Sequence, residues 1–585
     1  MRRRLPLLLI PTAALLCTLP LLRDGPSCGH DFDFHLVSWL EAARQFRFGN
    51  LHPHWTYTPA YGAGEPRFVF YPPLSWTLGA LLTLLLQHLP FANPGQAFAF
   101  APILYTFLTL TSAGLAMYAL ARRYTAPASA LLAATLYLAN PYTLFTAYQR
   151  TAFAELLAAT WLPLLLLAIL PPPDHQPPSP NHHRSTSLLA LSLALLWLTN
   201  APAAVIGSYT LALVAGFRLL SLFRTHRSLR ALRKPAASLL LGSSLGLALA
   251  AFYIVPAAYE RRWVQIDMAT IPGMRIADNT LFHQTGDTPH DDVLETASDI
   301  ALTLLSTTAV ALLIATLRTR RRAPTPHPSA NPQPPQHSGP ATIRPLLLLA
   351  LLTVTIAFLL TPISVPLWTH IPELAFLQFP WRTLALLAPL TALALALALD
   401  TLPLRVSLAL ALLLPAGLAF AAYTTFREVC DGPDTPAAQL ALFQSPLGSD
   451  PTDEYTPTTA DNDALKQENP RPPKSPGPTP FQTLAPHEHI HLHATGPRQL
   501  VLNLRDYPAW SILRNGIPIP EHVPRDDGLL AFDLPPGDAD LDLRYATTPD
   551  GIAGDAISAA ALFLLALTLR RRNPTTPARP RTDSI

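Results

Sequence analysis

Lysine is almost absent from this chain of 585 residues. Only Lys234, Lys466 and Lys474 occur, so 38 of the 41 basic residues are arginine. Charge of either sign is scarce: Asp, Glu, Lys and Arg make up 14% of the sequence, against about 25% in an ordinary soluble domain. That shortage excludes a solvated disordered chain and a typical cytosolic enzyme. Three cysteines exclude a disulfide scaffold and a cysteine-based zinc site. Cys17 falls in an apolar run and reads as a small buried residue. Cys28 and Cys430 fall in polar stretches, and whether they pair is open. The arginine clusters are short and sit beside apolar runs, so no nucleic-acid partner is expected.

What is abundant is apolar surface and proline. Half of the residues are hydrophobic and the mean hydropathy is +0.25. The 64 prolines are about twice the usual share of roughly 5%. Many sit in Pro171–Pro180 and Pro324–Pro340, which read as linkers. A spanning helix needs about 20 mostly apolar residues. Thirteen runs come near that, from Leu5–Leu22 to Ile552–Leu569, among them Ser75–Leu89, Ala128–Phe145, Ala236–Ala258 and Leu346–Leu360. Arginine placement sets orientation. Arg2–Arg4, Arg122 and Arg123, Arg224–Lys234, Arg318–Arg322 and Arg570–Arg572 all belong in the cytoplasm. Thirteen crossings cannot put both ends there, so the short Ser75–Leu89 run is expected to lie in the outer interface, leaving about 12 spans.

This parity puts four segments outside: Arg23–Gln96, Thr146–Ala152, Tyr259–Asp299 and Phe426–Gly551. Residues 1–430 form the membrane body, Asp431–Pro480 reads as a proline-rich linker, and 481–550 shows period-two alternation that predicts a small β-sandwich. Residues 551–585 hold the last span and a cytoplasmic tail. His487, His489, His491 and His493 share one strand face and read as a solvated edge. The β region is expected to make few contacts with the helices.

The candidate chemistry lies in the outer segments. Asp31 and Asp33 start an amphipathic stripe of Leu36, Trp39, Leu40, Ala43 and Phe46, with Ser38, Glu41 and Gln45 opposite. Such a helix suits a membrane surface. The two aspartates serve either as a helix cap with a dipole partner or as functional carboxylates. Glu155 is an ionisable group just inside an apolar helix, which leans toward function. Arg382 stands at the outer start of a span and needs an anion: Glu373, a lipid headgroup or a substrate phosphate.

The segments His30-Asp-Phe-Asp-Phe-His35, Phe70-Tyr-Pro-Pro-Leu74, Tyr148-Gln-Arg-Thr-Ala-Phe-Ala-Glu155 and Phe379-Pro-Trp-Arg382 resemble the bacterial membrane proteins labelled 6-pyruvoyl-tetrahydropterin synthase-related. More broadly the chain is similar to the GT-C glycosyltransferases. The resemblance implies a polytopic α-helical GT-C-like fold in the bacterial plasma membrane. It implies a catalytic carboxylate at Asp31 or Asp33, assisted by Glu155, with His35, Tyr71, Arg150 and Arg382 binding substrate. Aminoarabinose-type members carry lysine where this chain has Tyr71. The implied partners are a polyprenyl-phosphate-linked sugar, a cell-envelope acceptor and the lipid bilayer. No metal ligand is assigned; Asp31-x-Asp33 offers hard oxygens for Mg²⁺ or Mn²⁺, but the preferred reading requires none. The competing expectation is a non-catalytic protein on the same scaffold that handles or exports envelope lipid or polysaccharide.

Overall fold

The computed structural model of the chain describes residues 5–89, 94–172, 182–321, 343–445, 447–468, 487–519 and 522–570. Arg2–Arg4, the tail beyond Arg570, and most of the proline runs at 171–180 and 324–340 lie outside the described residues. The chain opens with α1 (Leu5–Asp24), α2 (Phe32–Arg47), α3 (Arg67–Phe70), α4 (Pro73–Gln87) and α5 (Pro94–Ala121). The middle holds α6 (Pro127–Leu138), α7 (Pro141–Tyr148), α8 (Phe153–Ile169), α9 (His182–Trp197), α10 (Ala201–His226), α11 (Leu229–Leu249) and α12 (Ala251–Glu260). Next come α13 (Thr288–Arg321), α14 (Ile343–Leu359), α15 (Val365–His370), α16 (Leu384–Ala398) and α17 (Leu404–Phe426). Two short helices follow, α18 (Pro436–Gln444) and α19 (Asn462–Glu468). Six strands precede the last helix: β1 (His487–Ala494), β2 (Arg498–Arg505), β3 (Trp510–Arg514), β4 (Ile517–Pro518), β5 (Leu529–Leu534) and β6 (Gly537–Tyr545), then α20 (Pro549–Arg570).

Among the described residues seven helices are long and apolar enough to cross a membrane, or nine if each of two sharply bent pairs is one span. Their outward faces carry bare apolar side chains such as Leu240, Leu413, Phe420 and Phe563, as lipid contact requires. Two of the expected runs are broken, and the chain turns sharply just past the end of a third. Asn140-Pro141 splits the Ala128–Phe145 run: Asn140 caps α7, accepting from Thr143 N at 3.1 Å, and Pro141 takes the first helical position. The Ala236–Ala258 run turns by 70° between α11 and α12, and the chain turns by 89° after α14.

Arg123, Arg218 and Arg318 gather at one end of the bundle. Arg123 Nη1 donates to Leu167 O, Arg218 Nη1 donates to Ile169 O at 2.7 Å, and Arg318 Nη1 donates to Ala398 O. Asp400 accepts from Ala126 N at 2.8 Å at the same end. The expected outer segments meet at the other end: Cys28 and Cys430 form a disulfide with Cα atoms 4.9 Å apart, and Val264 bridges to Pro457. α4 packs along α2 and its C-terminal Gln87 accepts from Arg47. Fifteen residues rise only about 22 Å, short of the roughly 30 Å apolar core.

Two expectations are corrected on the loop side. α2 does not lie with a wet polar face: Ser38, Glu41 and Gln45 are as buried as Leu36 and Trp39. The first loop folds over them. Glu41 accepts from Thr58 N at 2.7 Å, and Gln45 donates to Trp55 O at 2.7 Å. The part of the expected linker that is described, 431–468, is folded. It forms α18, a short turn at Asp453–Tyr455 and α19, and Thr452 hangs from Glu65 by bonds of 2.9 and 2.8 Å.

The β region holds a four-stranded antiparallel sheet, order β1-β6-β3-β4, and a two-stranded ribbon, β2-β5. Apolar residues of both belong to one cluster. The edge histidines are exposed on β1 facing Asp538, Asp540 and Asp542 of β6; His491 and His493 reach aspartates at 2.6 Å. The region is not self-contained, because its core includes Trp55 and Tyr57 of the first loop and Val264. Tyr507 donates to Glu260 at the end of α12 at 2.5 Å. The few crossing contacts expected from composition are therefore replaced by a shared core. Trp55 is 1% exposed, and Trp55→Ala should lower stability by about 3–5 kcal/mol, read as a fall in melting temperature of the detergent-purified protein. An unchanged melting temperature would mean the β region stands alone.

Candidate functional site

A cavity of about 780 Å³ opens where the loops meet the helix ends. Its polar wall includes Asp31, Arg150, Glu155 and Arg382. Its apolar wall includes Trp197, Val205, Tyr253, Ile254 and Ala257 from α9, α10 and α12. The four polar residues come from three segments far apart in sequence, and main-chain contacts bring the first two of these segments together. His30 N and Asp31 N donate to Gln149 O at 3.2 Å and Arg150 O at 3.0 Å. Gly29 makes this approach possible, since a Cβ there would stand 1.9 Å from Gln149 O. The disulfide at Cys28 and the bond from Ser27 Oγ to Tyr148 O at 2.6 Å hold the same strand of chain.

The structure separates the two aspartates. Asp31 occupies the N-cap position of α2 but makes no capping bond with its side chain. Its carboxylate instead lines the cavity, 3.9 Å from Arg150 Nη2. Asp33 is exposed, accepts from Phe34 N at 2.7 Å, and is not among the residues lining the cavity. It stands in the first turn of α2, where a carboxylate favours the helix dipole.

Arg150 is buried and its Nη1 donates to Glu155 Oε2 at 2.6 Å. Tyr142 also donates to Glu155. Glu155 is thus fully engaged and holds Arg150 in place. Thr151, with φ +46°, supplies the turn that folds Arg150 back onto the first turn of α8. The segment Phe379-Pro-Trp-Arg382 works as a second mount. The rings of Phe379 and Trp381 stack at 5.1 Å and 21°. Arg150 lies 4.7 Å from the Trp381 ring centre, and Arg382 lies 4.8 Å from that of Phe379. Such contacts stabilise a desolvated cation. Arg382 also donates to Leu377 O at 2.8 Å and to Gln378 Oε1 at 3.2 Å, where Gln378 takes φ +60°. Arg382 has no ion pair among the described residues, and its Nε has no hydrogen-bond partner. Glu373, one of its expected partners, pairs with Arg261 at 3.3 Å instead.

His35 stands behind the cavity wall rather than on it. It is buried among Phe34, Trp39, Tyr71 and Phe153, and neither ring nitrogen has a protein partner. Burial, with Arg67 and Arg150 adding to it, holds its pKa down to about 3, so the imidazole stays neutral. Tyr71 does line the cavity and packs edge-on against Phe34 at 4.9 Å. Thr452, Glu454 and Tyr455 also line it and were missed, because their surroundings read as linker. The pair Glu-Tyr between Pro451 and Pro457 was the only local signal. Among the described residues no three of His, Cys, Asp or Glu stand close enough to hold a metal ion. Asp31 and Asp33 do not share the cavity, so no step below passes through a metal.

The family described as 6-pyruvoyl-tetrahydropterin synthase related domain, a membrane protein, matches residues 68–429. That range covers Arg150, Glu155 and Arg382 and begins after Asp31. None of the curated proteins matches. Two solved structures are similar. The arabinofuranosyltransferase AftD from Mycobacteria is 17% identical with a TM-score of 0.40, over 74% of this chain and 27% of its own. The oligosaccharyltransferase of Archaeoglobus fulgidus, in complex with zinc and sulfate, is 16% identical with a TM-score of 0.34, over 76% of this chain and 54% of its own. This chain therefore spans about a quarter of the first and about half of the second.

The Arg150–Glu155 pair is buried on both sides, with side chains 7% and 5% exposed. Removing one partner leaves the other charge uncompensated, so Arg150→Gln should destabilise by about 3–5 kcal/mol. Adding Glu155→Gln should recover a large part of that loss. Thermal melts of the single and double variants check this, and additive losses would contradict it.

Proposed function

This chain belongs to the 6-pyruvoyl-tetrahydropterin synthase related family of membrane proteins, and from that premise we propose that it transfers a sugar from a polyprenyl-phosphate donor to a hydroxyl of a cell-envelope acceptor. The observation that carries this reading is the meeting of one half-exposed carboxylate, Asp31, with two mounted guanidinium groups, Arg150 and Arg382, on the wall of a single cavity. Among the described residues Arg382 makes no ion pair, and its Nε has no hydrogen-bond partner. The apolar wall between α10 and α12 suits a prenyl chain arriving from the bilayer.

In this reading Asp31 takes the proton of the acceptor hydroxyl as that oxygen attacks the anomeric carbon. The bond from the anomeric carbon to the phosphate oxygen breaks, and its electron pair leaves with the polyprenyl phosphate. The developing phosphate charge meets Arg382 and Arg150, whose positions are set before reaction by the stacked rings and by Glu155. Attack opposite the leaving group inverts the anomeric centre. Glu155 acts by positioning Arg150 rather than by moving a proton. The protein stands in the plasma membrane with both termini cytoplasmic and the cavity outside, as the arginine distribution supports.

Asp31→Asn keeps the size of the side chain and removes the base. Transfer from a polyprenyl-phosphate sugar should fall about 10²–10⁴-fold, while Asp33→Asn stays near wild type. Arg382→Gln should weaken binding of farnesyl phosphate about tenfold or more, the usual worth of a hydrogen bond from a charged group. Equal activity of Asp31→Asn and wild type would overturn the assignment of the base. A wild-type protein that neither binds farnesyl phosphate nor turns over the donor would leave the non-catalytic reading.

A further inference from the structure

Besides Asp31, Glu155 and Glu373, the cavity wall carries a further carboxyl group, which the reaction above does not use. Glu454 lies in the short turn Asp453–Tyr455 and lines the cavity together with Tyr455 and Tyr71. Its mounting is rigid. Thr452 N and Oγ1 bind the two Glu65 oxygens at 2.9 and 2.8 Å, and Arg67 Nη2 donates to Thr452 Oγ1 at 3.1 Å. Glu65 and Arg67 are themselves a buried ion pair at 2.7 Å. On the far side of the turn Val264 bridges to Pro457, and the Tyr455 ring stacks on Phe70 at 5.6 Å and 14°.

The Glu454 side chain has no partner to match this mounting. Among the described residues it makes no ion pair, and its only hydrogen bond is with its own backbone N–H. Burial pushes its carboxyl above the ordinary glutamate range, and the nearby Glu65 and Asp453 add to the effect. Leaving a half-buried carboxyl unpaired is unfavourable, and a fixed, perturbed carboxyl in a cleft is a common mark of a binding site.

The position of Glu454 indicates which substrate it meets. Arg150, Arg382 and the apolar wall come from helix ends, the side from which a membrane lipid enters. Thr452, Glu454, Tyr455, Phe70 and Tyr71 come from the loops, the side open to water-soluble molecules. Aromatic rings beside a carboxyl group suit a ligand with both carbon-bound hydrogens and hydroxyls. We infer that Glu454 is an acceptor-binding residue, which hydrogen-bonds a hydroxyl of a polyhydroxylated acceptor, a sugar, on the loop-built wall of the cavity. The inference rests on the glycosyl-transfer reading and adds the chemistry of its second substrate.

The test uses the full chain in nanodiscs, a polyprenyl-phosphate sugar as donor, and a set of p-nitrophenyl pentosides and hexosides as acceptor probes. Glu454→Leu should raise the acceptor KM about tenfold to a hundredfold, the range for a lost hydrogen bond to a charged or acidic group. Farnesyl phosphate affinity and the melting temperature should not change, and Glu454→Gln should recover most of the acceptor KM. An unchanged acceptor KM in Glu454→Leu overturns the inference and leaves the transfer reading intact. Wild-type protein that binds farnesyl phosphate yet transfers to none of these glycosides overturns the acceptor class alone. Absence of farnesyl phosphate binding removes both readings.

Discussion

Two guanidinium groups held at the wall of one cavity are the constraint from which most of the loop side of this protein follows. Like charges in a partly desolvated space repel, so each needs its own support. Arg150 has Glu155 at 2.6 Å and the Trp381 ring. Arg382 has the Phe379 ring and a backbone carbonyl, and among the described residues no ion-paired carboxylate. The stacked Phe379 and Trp381 rings tie the two mounts together. Positive φ at Thr151 and Gln378 marks the backbone strain that these positions require.

The rest of the loop side fixes the carboxylates relative to those cations. Asp31 is carried by a strand of chain pinned by the Cys28–Cys430 disulfide and by main-chain bonds to Gln149 and Arg150. Glu454 is carried by a turn pinned to Glu65 and Arg67. The first loop, in turn, is held under the β region through Trp55 and Tyr57. The β region is thus a support for the cavity's outer wall, linked to the membrane body through Tyr507 and Glu260.

Composition and arginine placement made the membrane class and the gathering of four loop segments at one end legible in the sequence, because both rest on long runs of residues. The individual residues Arg150, Glu155 and Arg382 were also legible, since a charge at the end of an apolar run stands out. Four things were not. The choice between Asp31 and Asp33 depends on a side-chain direction at a helix N-cap, which spacing does not encode. The breaks at Asn140 and Ala250 look like continuous apolar runs to a hydropathy window. The folded turn bearing Glu454 has the polar, proline-rich composition of a linker, and long-range contacts to Glu65, Arg67, Phe70 and Val264 order it. The shared core around Trp55 was hidden for the same reason, because its β-region partners lie more than 400 residues away.

The central claim is that the two arginines hold the phosphate of a polyprenyl lipid. A structure of the wild-type protein in nanodiscs with farnesyl phosphate, determined by cryo-electron microscopy, tests it directly. The account predicts phosphate density against Arg382 and Arg150, with the prenyl chain running along Val205, Ile254 and Ala257. Phosphate bound elsewhere, or a cavity left empty at saturating lipid, would contradict it.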